Sequence, residues 1–139
     1  MKPKDFNPLL GHDALKGIRV IDFSWIVAGP QCTRILADFG AEVIKVENES
    51  NMDYIRGSAP VGGSTSPNRS GLFNTLNRNK KSLTLNVMHP KGMELLKNLI
   101  SVSDVVIENF SSRVLEKWGL GYEEQRNIKP DIIYCSMSG

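Results

Sequence analysis

The chain has 139 residues, of which 40% are hydrophobic and 23% charged, and it carries a net charge of +2. That is the length of one domain with a real core and the composition of an ordinary globular protein. So small a charge, borne by scattered basic residues, points away from nucleic acid or an anionic membrane as partner, and no apolar stretch approaches the length of a membrane span.

Residues 1–16 read as a polar lead-in, and residues 17–139 as one domain. Ile18–Ser24 is rich in β-branched and aromatic residues and runs into Gly29-Pro30, the pattern of a strand entering a turn. Pro30 suits the first turn of a helix, along which Cys32, Ile35, Leu36 and Phe39 fall at helical spacing toward a core, and Gly40 supplies the stop. Glu42–Glu47 is a second strand, which completes a βαβ unit. Residues 48–78 mix Gly, Pro, Ser and Asn without a sustained period and read as a long irregular loop, either functional or mobile.

Ser82–Asn86 alternates as a strand, and Pro90 opens a helix with Met93, Leu95, Leu96, Leu99 and Ile100 on or near one face. Asp104–Glu108 is nearly all apolar, as a buried parallel strand should be. Ser111 or Ser112 caps a short helix through Trp118, ended by Gly119 and Gly121. A polar helical turn at Glu123–Arg126 leads past Pro130 into a last strand, Ile132–Ser136. Strands and helices alternating at this spacing predict an α/β fold with an open, mostly parallel sheet and flanking helices.

Ligands of such sheets bind beyond the carboxyl ends of the strands. The candidates are therefore Trp25–Ala28, Glu47-Asn48, Asn86–Met88, Asn109-Phe110 and Ser136–Gly139. Glu47 ends the second strand where a ribose-binding acid of a dinucleotide site would sit. The first turn reads Val27-Ala28-Gly29-Pro30-Gln31-Cys32, however, without the close glycines a pyrophosphate needs. Cys32 lies in a first helical turn, where a thiolate is favoured, but its alignment with Ile35, Leu36 and Phe39 reads as core. Arg78, Lys80 and Lys81, within Asn77–Ser82, form either a phosphate grip or a solvated turn. Asp22 and Asp104 read as structural.

Cys32 and Cys135 lie far apart and match no metal or redox spacing, His12 and His89 suggest no metal site, and residues 1–5 lack the apolar core of a secretory signal. These features favour a reduced, cytoplasmic setting. On the residues alone the reading ends at an α/β domain with a ligand-binding edge and no assignable reaction.

Seven segments, in this order, are similar to the N-terminal part of the class III CoA-transferases. They are LKGIRVIDF at 15–23, AGP at 28–30, LADFGAEVIKVE at 36–47, NKKSLTLN at 79–86, DVVIENF at 104–110, GLGY at 119–122 and PDIIYCSMSG at 130–139. The family includes formyl-CoA transferase, carnitine CoA-transferase and 2-methylacyl-CoA racemase. The resemblance implies a Rossmann-like large domain, two interlocked subunits, and coenzyme A or acyl-CoA as substrate with no prosthetic group. It also implies CoA contacts at Trp25, Ile26, Asn48, Leu85, Met88, Asn109, Phe110 and Lys117, with Trp25, Val27 and Ala28 shaping the acyl pocket.

Asn48 and Met88 stand where basic residues are common in that family, which shifts phosphate binding toward Lys117 and the Arg78–Lys81 run. Trp25 and Val27 stand where the formyl-CoA branch has histidine and glutamine, so an apolar or aromatic acid is expected as acyl partner. The reaction implied is covalent, through an aspartate expected beyond position 139, and this chain alone is expected to be inert. A racemase of the 2-methylacyl-CoA type and a non-catalytic CoA-binding module are the alternatives.

Overall fold

The computed structural model describes residues 14–58, 61–63 and 66–137. Most of the lead-in, and the strand-end candidates Ser138 and Gly139, lie outside the described residues. In chain order the elements are β1 (Arg19–Asp22), α1 (Ala28–Asp38), β2 (Glu42–Glu47), α2 (Gly71–Leu76), β3 (Lys81–Thr84), α3 (Pro90–Ser101), β4 (Val105–Glu108), α4 (Val114–Lys117), α5 (Tyr122–Ile128) and β5 (Ile133–Ser136). The strands form one sheet in the order β3-β2-β1-β4-β5, with every neighbouring pair parallel. The expected sheet, open and α/β, is therefore parallel throughout its described strands.

Alternation along the central strands sorts side chains to two faces. Ile21, Phe23, Val46 and Val106 join Leu96 and Ile100 of α3, with Leu115, Leu120 and Ile132, in the larger core. Val20, Val43 and Ile107 face the other way, onto Ala37 of α1 and Ala41. A third, smaller cluster of Ile55, Phe73 and Leu76 is formed within the segment between β2 and β3. That segment, expected to be irregular, contains the 3₁₀ turn Tyr54–Gly57 and the helix α2, each with a side-chain cap, from Asp53 and Ser70 respectively. The caps replace the missing hydrophobic period as the ordering signal.

Several local expectations change. α1 begins two residues before Pro30 and buries Gly29, Pro30, Thr33 and Ala37, whereas Ile35 and Phe39 are 43% and 48% exposed. The buried stripe is made of small residues, which let the helix lie close to the sheet and carry no hydrophobic period. Gly40, at φ 97°, does end it: its N–H donates to Ala37 O and that of Ala41 to Leu36 O, the paired bonds of a left-handed helix stop. In α3, Leu95 is exposed while Leu96 and Ile100 are buried. α4 is preceded by Arg113 in a left-handed conformation, with neither Ser111 nor Ser112 as its cap.

Candidate functional site

In a sheet of this order the chain runs outward in both directions from β1. The reversal, between β1 and β4, is where such folds bind ligands. Two segments leave the sheet there side by side, Trp25–Ala28 after β1 and Asn109-Phe110 after β4. The Asn109 side chain joins them: its Oδ1 accepts from Trp25 N at 2.7 Å and its Nδ2 donates to Trp25 O at 2.9 Å. This amide clamp fixes the Trp25 main chain to the end of β4. Asn109 was expected to touch the ligand; in the structure its side chain holds the neighbouring strand exit.

Glu108 performs the same service for Phe110. Its buried carboxylate accepts from Phe110 N at 2.7 Å and from the Tyr134 hydroxyl at 3.0 Å. Burial, then the adjacent Glu108 charge, pushes the Tyr134 phenol well above its ordinary pKa, so it stays a donor. The rings of Trp25 and Phe110 meet edge to face at 5.5 Å. Trp25 also meets Tyr54 at 5.9 Å, and Phe110 meets Trp118 at 5.5 Å. Four aromatic rings thus run continuously along the carboxyl edge of the sheet, an apolar wall with polar tips.

Beneath this wall lies a cleft of about 110 Å³ whose lining includes Trp25, Asn48, Leu85, Met88, Phe110 and Trp118. The first five are candidates read from the sequence, drawn together from the ends of β1, β2, β3 and β4. Trp118, like Tyr54 on the wall, was missed, since neither follows a strand in sequence. Met88 projects at the rim, 67% exposed, with its N–H held by Asn86 Oδ1 at 3.0 Å. Ile26, Val27 and Ala28 are exposed beside Trp25. Lys117 lies outside the cleft, exposed on α4 beside Arg113 and Glu116.

The run Arg78–Lys81 is placed elsewhere, at the entry of β3 rather than its exit. Lys80 is buried: its Nζ donates to Asp22 Oδ2 at 2.9 Å, Asn77 Oδ1 at 2.7 Å and Pro30 O at 3.1 Å. Arg78 pairs with Asp38 at 2.6 Å, and Lys81 with Glu42. None of these three residues lines the cleft. Their charges are neutralised by carboxylates, and the Lys80 charge lies in the core.

Asp22 is fully buried and also accepts from Ser24 Oγ and from Thr33 Oγ1 at 2.7 Å. Burial alone would raise its pKa. Lys80, Lys45 and the two hydroxyls outweigh it, and the carboxyl titrates below its ordinary range. The direct register partner of Asp22 on β2 is Lys45, also buried, whose Nζ donates to Ser24 O at 2.6 Å and to Asp53 Oδ2 at 3.3 Å. Glu47, two residues on, is bound by Arg56 through two bonds of 2.9 and 2.5 Å. Arg56 also stacks over Phe73 at 3.6 Å. Burial raises the Glu47 pKa, but the Arg56 and Asp53 N–H bonds and the Lys45 charge hold it below the usual range. Glu47 is thus engaged by protein groups, which removes it as a ribose acceptor. Burial, followed by nearby Cys135 and Asp22, pushes the Cys32 thiol up, the wrong direction for a nucleophile. No helix among the described residues is long and apolar enough to cross a membrane.

Comparison with known proteins agrees with this geometry. The family model described as CoA-transferase family III matches residues 15–139. An acyl-CoA transferase of Fusarium pseudograminearum is 44% identical over 131 residues, covering 91% of this chain and 29% of that protein. A formyl-CoA:oxalate CoA-transferase of Afipia carboxidovorans is 43% identical over 127 residues, with 91% and 29% covered. The succinyl-CoA:glutarate CoA-transferase of Mus musculus is 42% identical over 125 residues, with 90% and 28% covered. Among solved structures, a CAIB/BAIF family protein from Brucella suis superposes with a TM-score of 0.79 at 40% identity, over 90% of this chain and 33% of that one. The chain thus spans less than a third of the curated relatives it matches. Over that span, sequence and backbone agree, and the chain belongs to CoA-transferase family III.

Proposed function

We propose that this chain forms the coenzyme A-binding part of an enzyme that transfers CoA between carboxylic acids. The observation that carries the reading is the cleft. Trp25, Asn48, Leu85, Met88 and Phe110 come from four separate strand ends and line one cavity, and they are positions at which family resemblance implies CoA contacts. The apolar floor of Leu85, Val87 and Phe110 suits the adenine or the pantetheine chain. Lys117 is the cation offered to a phosphate, exposed on α4 directly before the cleft residue Trp118.

Trp25 and Ile26, with Val27 and Ala28 at the exposed helix entry, form the side toward the acyl group. An aromatic ring and a β-branched side chain there favour an apolar or aromatic carboxylic acid as acyl partner. Relatives named for oxalate and for glutarate are nearly equal in identity, so overall identity does not separate acyl partners. By resemblance the reaction is nucleophilic covalent catalysis. An aspartate attacks the thioester carbonyl and expels CoA thiolate; the thiolate attacks the aspartyl carbonyl of the anhydride, releasing the donor carboxylate and leaving an aspartyl-CoA thioester. The incoming carboxylate displaces CoA thiolate to form a second anhydride, whose acyl carbonyl the thiolate attacks, giving the new acyl-CoA and free aspartate. Among the described residues the acid lining the cleft is Glu47, already bound by Arg56, and the nucleophile is expected beyond position 139. The complete protein is expected to be an interlocked homodimer. The free thiols of Cys32 and Cys135 fit a reduced, cytoplasmic setting.

The deciding experiment is calorimetric titration of CoA into the chain and its Phe110→Ala variant. Binding that weakens at least tenfold in the variant supports the reading; no binding, or equal binding, refutes it. For the acyl partner, exchange assays on the complete protein should favour apolar acids, and a preference for oxalate overturns that part.

A further inference from the structure

The turn that carries Trp25 into the site contains a conformation its sequence does not favour. Ile26 has φ 68°, the left-handed region, where a β-branched side chain crowds the backbone. Its N–H is taken by Asp53 Oδ1 at 3.0 Å, a residue 27 positions away in the segment between β2 and β3. Asp53 is 1% exposed and is itself fixed on several sides. The same Oδ1 accepts from Ile55 N at 3.2 Å, Oδ2 accepts from Lys45 Nζ at 3.3 Å, and its own N–H donates to Glu47 Oε1 at 3.2 Å. Lys45 in turn donates to Ser24 O, two residues before Ile26.

A carboxylate and an ammonium, buried together, thus grip the strand exit on both sides of Trp25. The conformation is strained and its restraint lies outside the turn, the arrangement in which surrounding structure over-determines a costly backbone. We infer that Asp53 is a positioning residue for the ligand site: by holding Ile26 left-handed, it sets the direction of Trp25 and the exposure of Ile26 to Ala28. Lys45 holds the Asp53 carboxylate in place through its Nζ, so one buried pair governs the acyl side of the cleft from beneath. The effect on binding rests on the coenzyme A reading above; the restraint of Ile26 does not.

A double-mutant cycle separates positioning from general stabilisation. Glycine adopts φ near +68° without crowding, so Ile26→Gly removes the need for an external restraint. CoA affinity is measured by calorimetry for the chain, Asp53→Ala, Ile26→Gly and the double variant. Asp53→Ala is expected to weaken CoA binding about tenfold in the parent chain and less than about threefold in the Ile26→Gly background. Equal losses in both backgrounds, or no loss in either, overturn the inference.

Amide hydrogen exchange by NMR gives a readout independent of CoA. Ile26 N–H should exchange at least about tenfold faster in Asp53→Ala than in the parent, while amides of β1 and β4 stay protected. Should Asp53→Ala fail to fold, Asp53→Asn retains an oxygen acceptor for Ile26 but loses the charge, and should keep the Ile26 amide slow. Fast exchange at Ile26 in a folded Asp53→Asn, or unchanged exchange in a folded Asp53→Ala, refutes the restraint. Absence of CoA binding by the parent chain would refute the ligand reading alone.

Discussion

Replacing Lys80 by methionine separates the core charge network from surface electrostatics. Lys80 and Lys81 are consecutive, both paired with a carboxylate, yet their side chains are 1% and 69% exposed. Methionine fills most of the Lys80 volume but leaves Asp22 in the core without its ammonium partner, and orphans acceptors on Asn77 and Pro30. Breaking a buried pair by removing one member costs about 3–5 kcal/mol, since the remaining charge is uncompensated. Ser24, Thr33 and the nearby Lys45 still serve Asp22, which places the expected loss toward the lower value. For a domain whose total stability is about 5–15 kcal/mol, that is a large fraction. Lys81→Met, at the exposed pair with Glu42, should cost under about 1 kcal/mol.

The assay is urea unfolding followed by tryptophan fluorescence and circular dichroism. With slopes of about 1–3 kcal/mol per molar urea, Lys80→Met should lower the midpoint by at least about 1 M while Lys81→Met barely moves it. Adding Asp22→Asn to Lys80→Met should recover part of the loss, because it removes the stranded charge. Equal costs for the two lysines, or a double variant as unstable as the sum of the single ones, would refute the assignment of Lys80 to a buried pair.

The pKa values of Asp22 and Glu47 are both held below their ordinary 3.8 and 4.5. A lowered folded-state carboxyl contributes stability that is complete above the unfolded value and lost as pH falls through the folded one. The thermal midpoint should therefore be flat from neutrality to about pH 5 and drop below about pH 4; a decline already under way between pH 7 and 6 would contradict it. In Gly92→Ala, the added Cβ would lie 2.0 Å from Asn86 O, main chain that cannot rotate aside. Forced displacement of α3 should cost about 1–3 kcal/mol in chemical unfolding, and a neutral result would show that the helix shifts freely. Asn109→Ala removes both bonds of the clamp on Trp25. It should weaken CoA binding roughly tenfold, and lower stability by about 1–3 kcal/mol, with a calorimetric titration indistinguishable from the parent's counting against the clamp.

The larger organisation of this protein was legible in its sequence. Strands at 18–24, 42–47, 82–86, 104–108 and 132–136 were marked by β-branched runs between Gly and Pro punctuation, and all five form within those bounds or one residue outside. Alternation of strand and helix implies parallel pairing, and strand ends in such a sheet define a ligand edge, so lining residues such as Trp25, Asn48, Met88 and Phe110 could be named without coordinates, with Leu85 added by the family resemblance. These features depend on local periodicity, which a single chain displays directly.

What the sequence could not show depends on which residues meet across long separations. The buried face of α1 is made of Gly, Pro, Thr and Ala, and close approach rather than hydrophobicity selected it. Lys80 and Lys81 look alike as neighbours, and only their tertiary partners, buried Asp22 for one and part-exposed Glu42 for the other, make one a core ion and the other a surface ion. The amide clamp of Asn109 on the Trp25 backbone, 84 positions away, has no sequence signal either. Asp53 carried no signal at all within a stretch read as irregular, yet it anchors the turn that opens the site. Periodicity reports which face a residue turns to its own element. Partners for buried charges and strained turns are chosen by the sheet order, and that exists only once the strands have assembled.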